Sequence, residues 1–267
     1  MTTYKIEAGT GQHIGNRPQQ NDRVALLSGA RAPGYVLAVL SDGIAGAAGA
    51  DQLLHTARQV FDEFKPGDHP GPERLAQLLR EIVSETHLVM KMNAMMGSTA
   101  GAAAAGSAGQ PEVHASFVGL VLSPHGDAVW GHVGDSRLYR FQDGKCIMRS
   151  NDAEYVQHLV ASDRLPEDAA KNHRKSKLLL NVLGNNRKEP FVTIGSYSGL
   201  APGDVFLLAS DGLWHFFTDA ELAAASSKAT PRQASEMLIN KAQERSQGKG
   251  GNCSMAIVKL VKPAQDG

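Results

Sequence analysis

Apolar positions along the chain fall into short unbroken runs and longer stretches with helical spacing, and their order predicts the layers of the fold. Val24 to Leu27 and Tyr35 to Leu40 are short apolar runs separated by a Gly/Ala/Pro loop, the pattern of two neighbouring strands. The second run leads directly into Ser41-Asp42-Gly43 and then into a lip, residues 43–50, too rich in glycine to begin a helix at once. From Asp51 onward, Leu53, Leu54, Ala57, Val60, Phe61 and Phe64 recur at the spacing of a helix with one buried face, and Lys65-Pro66-Gly67 stops it. A second helix is predicted from about Pro72, with Leu75, Leu78, Leu79, Ile82, Val83 and Val89 as its stripe. The methionines that follow, Met90, Met92, Met95 and Met96, read as core filler, with an adaptable binding surface as the alternative.

Residues 97–111 are dominated by glycine, alanine and serine, bury too little to offset the cost of ordering, and are predicted to form a flexible surface insertion. Strands resume at Ser116 to Leu122 and Ala128 to Val133, joined by the turn Ser123-Pro124-His125-Gly126-Asp127. Gly134-Asp135-Ser136 interrupts, and Arg137 to Phe141 alternates before Asp143-Gly144, completing a β-meander. Helical spacing returns over residues 153–183, ended by Gly184, with a polar, solvated stretch carrying His158 and His173 between its apolar ends. Phe191 to Tyr197, Val205 to Ala209 and Ser254 to Val261 read as strands, and Asp219 to Ala225 and Arg232 to Ser246 as helices. This order predicts an α+β sandwich of antiparallel sheets under helices, formed by residues 1–267 as a single domain.

Charge narrows the partners. Twenty-seven basic residues balance 27 acidic ones, so no global field draws the chain to nucleic acid or to a membrane, and a partner must be recognised locally. The first residues lack the layout of a signal peptide, and no apolar run approaches the ~20 residues of a membrane span, so the expected setting is cytoplasmic. Cys146 and Cys253 are too few and too far apart for a disulfide framework or a cysteine metal site.

The candidate chemistry lies in carboxylates at strand ends. Val205-Phe206-Leu207-Leu208-Ala209 runs into Ser210-Asp211-Gly212, repeating the Ser41-Asp42-Gly43 ending of the earlier strand, and Asp22 and Asp135 sit at similar breaks in pattern. Singly each has an ordinary explanation, because Asp favours strand ends and turns. Together they offer oxygen ligands suited to Mg²⁺ or Mn²⁺, and no Cys/His spacing competes for zinc. Two such ions about 4 Å apart can support in-line displacement at phosphorus. Arg17, just ahead of Asp22, offers a planar fork for a phosphate.

Six segments in order, Arg17-Pro18-Gln19-Gln20-Asn21-Asp22, Ser41-Asp42-Gly43-Ile44-Ala45-Gly46, Met96-Gly97-Ser98-Thr99, His132 to Tyr139, Leu207 to Leu213 and Gly250-Gly251-Asn252-Cys253-Ser254, resemble the PP2C-type (PPM) serine/threonine protein phosphatases in their compact bacterial form. The resemblance spans residues 10 to 260 and implies a four-layer α-β-β-α sandwich with a metal centre at one end of the two packed sheets. It implies a hydrolase that removes phosphate from phosphoserine and phosphothreonine on proteins, a metal-bridging hydroxide attacking phosphorus. By the same resemblance Asp42 bridges two metal ions and the Gly43 carbonyl completes one of them. Asp211 holds the first ion, and Asp135 with Asp211 holds a third, weaker one. Arg17 binds the substrate phosphate, Asp22 orients water, and a flap at residues 152–185 reads the peptide. The implied setting is a monomer that acts on phosphorylated proteins and opposes a serine/threonine kinase.

Five positions depart from the family pattern. Asn21 stands where many members carry Glu, Ala45 where Gly is usual, and Ile44 where some eukaryotic members carry a proton-donating His. Asn252 stands where the last metal-binding Asp is expected, with Cys253 in place of the following Asn. As a metal ligand, Asn252 would bring an oxygen without a charge and weaken the first metal position. The alternative reading is therefore a pseudophosphatase that binds phosphoprotein without turnover.

Overall fold

The computed structural model of the chain describes residues 4–67, 71–101, 113–150, 161 and 181–263, with the side chains of 97–101 excepted. Twelve strands are found among them: β1 (Lys5–His13), β2 (Arg23–Gly29), β3 (Ala32–Ser41), β4 (Gly43–Ile44), β5 (His114–Ala115), β6 (Phe117–Leu122), β7 (Asp127–Val133), β8 (Arg137–Gln142), β9 (Lys145–Arg149), β10 (Thr193–Ser198), β11 (Val205–Ala209) and β12 (Cys253–Val261). Five helices accompany them: α1 (Ala48–Glu63), α2 (Pro72–Gly101), α3 (Asp211–Trp214), α4 (Asp219–Lys228) and α5 (Pro231–Ser246). One sheet has the order β10-β7-β6-β3-β2 and the other β1-β12-β11-β8-β9, while β4 and β5 form a short ribbon. Every pairing is antiparallel.

Side-chain alternation along the central strands explains the layers. In β3, Leu37 and Val39 pack with α1 and α2, whereas Ala38 and Leu40 point into the space between the sheets. In β11, Phe206 and Leu208 enter that same space, and Leu207 and Ala209 turn to α4 and α5. With both faces buried, these strands appear in the sequence as unbroken apolar runs. The result is the expected sequence of layers, helix, sheet, sheet, helix. At the far end of β11 from Asp211, Arg140 donates from Nε and Nη2 to Asp204 Oδ1 at 3.0 and 2.8 Å, and its guanidinium lies 3.4 Å from the Tyr197 ring centroid. This buried fork ties β8, β10 and the start of β11 together, so the other end of β11 emerges in a fixed place.

Several boundaries depart from the sequence reading. Helix α1 begins at Ala48, inside the predicted lip, because Gly49 and Ala50 are buried beneath β5, where small residues are needed. Helix α2 runs on to Gly101, five positions into the predicted insertion at 97–111. Met90 joins the core as filler, but Met92, Met95 and Met96 are 51%, 67% and 59% exposed, since α2 outruns the sheet it covers. Asn181 to Leu183 is extended, not helical, and Leu183 exchanges backbone hydrogen bonds with Ala115. The remainder of the predicted insertion and the flap residues 152–160 and 162–180 lie outside the described residues. No helix among the described residues is long and apolar enough to cross a membrane.

Candidate metal centre

The two Ser-Asp-Gly endings belong to different sheets. Asp42 follows β3 and Asp211 follows β11, and both line one cleft of about 720 Å³ together with Arg17, Asn21, Gly43 and Asn252. Asp135 stands in the turn between β7 and β8, where the chain passes from one sheet to the other. Its carbonyl accepts a hydrogen bond from Trp214 Nε1 at 3.0 Å, and the Arg137 guanidinium lies 3.3 Å from the Trp214 ring centroid. Asp22, immediately before β2, is 1% exposed.

A layer of buried serines supports these acids. Ser116 Oγ accepts from Asp42 N–H at 2.9 Å and lies 2.8 Å from Ser136 Oγ, and Ser41 Oγ donates to the Ser116 carbonyl at 2.7 Å. On the other sheet Ser210 Oγ accepts from Ser254 N–H at 2.9 Å, while Ser210 N–H donates to the Ser254 carbonyl at 3.0 Å. Hydroxyls satisfy the backbone where the strands splay apart, so each Asp leaves its strand at a defined point.

The carboxylates crowd one another. Burial, then the charges of Asp22 and Asp211, the nearness of the Asp22 carboxyl and the charge of Asp135, push the Asp42 carboxyl up to about 8. Burial also raises Asp22, against the opposing pull of the nearby Ser254 and Ser210 hydroxyls. Those hydroxyls lie near, yet neither Asp22 oxygen has a well-formed hydrogen-bond partner. Such a group calls for positive charge. Among the described residues no three His, Cys, Asp or Glu side chains converge closely enough to enclose an ion. A hard cation that keeps much of its water needs only one or two carboxylates, and the oxygen-only donor set fits Mg²⁺ or Mn²⁺.

The chain segment carrying Arg17 is sewn to the segment before β12. Asn16 N–H donates to the Gly250 carbonyl at 2.8 Å, and a Cβ on Gly15, whose φ is +64°, would overlap the Gly251 carbonyl. Asn252 Oδ1 accepts from Asn21 N–H at 2.9 Å, and its Nδ2 donates to the Ile14 and Gln19 carbonyls at 2.8 and 3.0 Å. Beside Asp211, a Cβ on Gly212 would overlap the Asn252 carbonyl oxygen. Three segments therefore meet at close quarters on the cleft wall.

No family model matches the chain. In sequence it is 30% identical over 198 residues to the serine/threonine protein phosphatase PstP of Mycobacterium tuberculosis, a match covering 72% of this chain and 34% of that protein. The chain thus spans about a third of that relative's length. It is 27% identical over 133 residues to a 2C-type protein phosphatase of Streptococcus pyogenes, covering 49% of this chain and 52% of that protein. Among solved structures, the serine/threonine phosphatase of S. agalactiae superposes with a TM-score of 0.70 at 19% identity, covering 97% of this chain and 100% of that one. The catalytic domain of PstP in complex with two manganese ions superposes with a TM-score of 0.68 at 21% identity and the same coverage. The chain has the PP2C-type phosphatase fold.

Within that PP2C-type frame, the cleft brings together Arg17, Asp42, Gly43, Asp211 and Asn252. Asp22, which is buried, and Asp135 act on Asp42 through their charges. Asn252 meets the cleft, but its amide is occupied by the Arg17 segment, an arrangement its place in a ligand motif does not suggest. His215, Phe216 and Lys249 also line the cleft and were missed. His215 could have been found from its position four residues after Asp211, the spacing of one helical turn, which also brings its Nδ1 to 3.1 Å from the Asp211 carbonyl oxygen. Lys249 had only its place before Gly250-Gly251 as a signal. Ala45 occupies the left-handed region, φ +63°, which explains why a glycine is usual there.

Proposed function

We propose that the chain is a metal-dependent phosphoprotein phosphatase that hydrolyses phosphoserine and phosphothreonine on proteins. The observation that carries this reading is the convergence of Asp42 and Asp211, from strand ends in opposite sheets, on one cleft with Arg17. Relatives named as serine/threonine phosphatases support it, and the two manganese ions of the PstP catalytic domain support a two-ion core.

Asp42, the Gly43 carbonyl and Asp211 would hold the core ions, and Asp135 with Asp211 an outer third ion; Mn²⁺ and Mg²⁺ both suit this set. When bound, such ions supply Lewis acidity towards the phosphoryl oxygens and activate water at neutral pH. The chain's own residues do the rest. Arg17 makes no hydrogen bond or ion pair among the described residues and is available to grip the phosphate with its planar fork. Buried Asp22 orients water from behind Asp42, and the Ser116 and Ser210 hydroxyls fix where Asp42 and Asp211 emerge. A monomer opposing a serine/threonine kinase follows from the same reading. Titrating Mn²⁺ while following release of phosphate from a phosphothreonine peptide tests it. Turnover that rises and saturates with Mn²⁺ is expected, and no turnover at saturating Mn²⁺ from a folded chain would refute it.

A further inference from the structure

Asn252 uses its whole side-chain amide on a single segment. Its oxygen takes the Asn21 N–H, and its two N–H groups reach the Ile14 and Gln19 carbonyls, all within 3.0 Å. Those three backbone groups bracket Arg17. The partners also fix which way the amide faces, because two carbonyls need donors and one N–H needs an acceptor. A carboxylate of the same shape would keep the bond from Asn21 N–H but set an unprotonated oxygen against two carbonyl oxygens. It would lose two hydrogen bonds and gain a repulsion. On its other side, the Asn252 carbonyl rests against Gly212, next to Asp211.

We infer that Asn252 is a positioning residue, an amide latch that holds the Arg17 segment at a set distance from Asp42 and Asp211, and that an amide is required there because a carboxylate cannot make the same three bonds. The role in phosphate binding rests on Arg17 being the phosphate grip; the latch itself does not. Asn252 therefore offers its oxygen to the backbone of its own chain, and the metal position beside Asp211 does without it.

Three variants of the full chain, Asn252→Asp, Asn252→Ala and Asn252→Gln, separate this from a metal-ligand role. Amide hydrogen exchange is followed at Asn16 and Asn21 against β6 as an internal standard, without metal. Loss of the latch is expected to speed exchange about tenfold or more at both amides in the Ala variant, and at Asn16 in the Asp variant, which keeps the bond from Asn21 N–H, with β6 unchanged. In Mn²⁺ the Asp variant should bind the ion no more tightly than the parent by calorimetry, and inorganic phosphate should inhibit it more weakly by a similar factor. The Gln variant, which keeps an amide on a longer arm, should recover part of the protection. Unchanged exchange in the Ala variant, or Mn²⁺ binding tightened about tenfold or more in the Asp variant with exchange unchanged, would overturn the latch. A parent chain without phosphatase turnover would refute the proposed function and leave the exchange result standing, so the two failures are distinguishable. If the Asp variant does not fold, the Ala variant decides.

Discussion

Replacing Asp42 with Asn should make the metal-free protein more stable while removing its response to metal. In the folded chain burial and the Asp22, Asp211 and Asp135 charges hold the Asp42 carboxyl at about 8, against an ordinary value of 3.8. A folded-state pKa raised in this way means that Asp42 favours the fold only below about pH 4. As pH rises from about 4 to 8 the unfolded chain releases this proton before the folded chain does, and stability falls by up to about 1.4 kcal/mol per pH unit. At pH 7 that reaches about 4 kcal/mol as a ceiling. Asp42 is half-buried, so water screens part of the effect, and about 2 kcal/mol is a realistic figure. Asn copies the neutral acid in shape and carries no charge to titrate, so Asp42→Asn should recover that amount. At about 2–4 °C per kcal/mol for a chain of this size, Tm in EDTA should rise by about 4–8 °C at pH 7, with almost no difference at pH 4. Saturating Mn²⁺ should then raise the Tm of the parent and not of the variant. Scanning calorimetry at both pH values, with and without Mn²⁺, measures all of this. A variant less stable than the parent in EDTA at pH 7, or equally stabilised by Mn²⁺, would refute the reasoning.

Three further outcomes are expected. Ala45→Gly should raise stability by about 0.5–1 kcal/mol in urea unfolding, because relief of the left-handed backbone at φ +63° exceeds the added flexibility of glycine. His87, 2% exposed, accepts from Gly184 N–H on Nδ1 at 3.1 Å while Nε2 lies 3.2 Å from Glu189 Oε2. Burial, helped by the Lys91 charge, lowers its pKa against the pull of Glu189, so the unfolded chain takes up this proton first and stability falls as pH drops below about 6.5. Unfolding midpoints of His87→Asn should fall less steeply than those of the parent between pH 6.5 and 5. Burial and the Asp22 and Asp211 charges push the Cys253 thiol up to about 12, so it should resist iodoacetamide at pH 8 in the folded protein and react only on unfolding, by mass spectrometry.

What was legible in the sequence followed from burial. β3 and β11 are covered on both faces, so their apolar runs announced them and the Ser-Asp-Gly endings marked where they leave the core. Edge elements were not legible. β1, KIEAGTGQH, lies at the rim of its sheet and contains glycines where α5 crosses it, so it shows no apolar alternation, and β9 is the opposite rim. The helical reading of residues 153–183 failed at its described end, 181–183, because Leu183 serves a bridge to Ala115, a tertiary demand that spacing alone does not reveal.

At the cleft, the acids could be named from sequence because chemistry selects their type. Their supports could not, because serines and amides act through directions. Ser116 and Ser136, just before β6 and β8, and Ser254 in β12 are ordinary serines until the backbone turns their hydroxyls to the neighbouring segment. Asn252 is the sharpest case: by type it reads as a weakened ligand, and by direction it binds three backbone groups around Arg17. A departure from a family motif is therefore evidence of lost function only when the substituted side chain still faces the same partner. Here the amide faces the segment that carries the proposed phosphate grip, while the crowding of the acids falls on Asp42, through Asp22, Asp211 and Asp135.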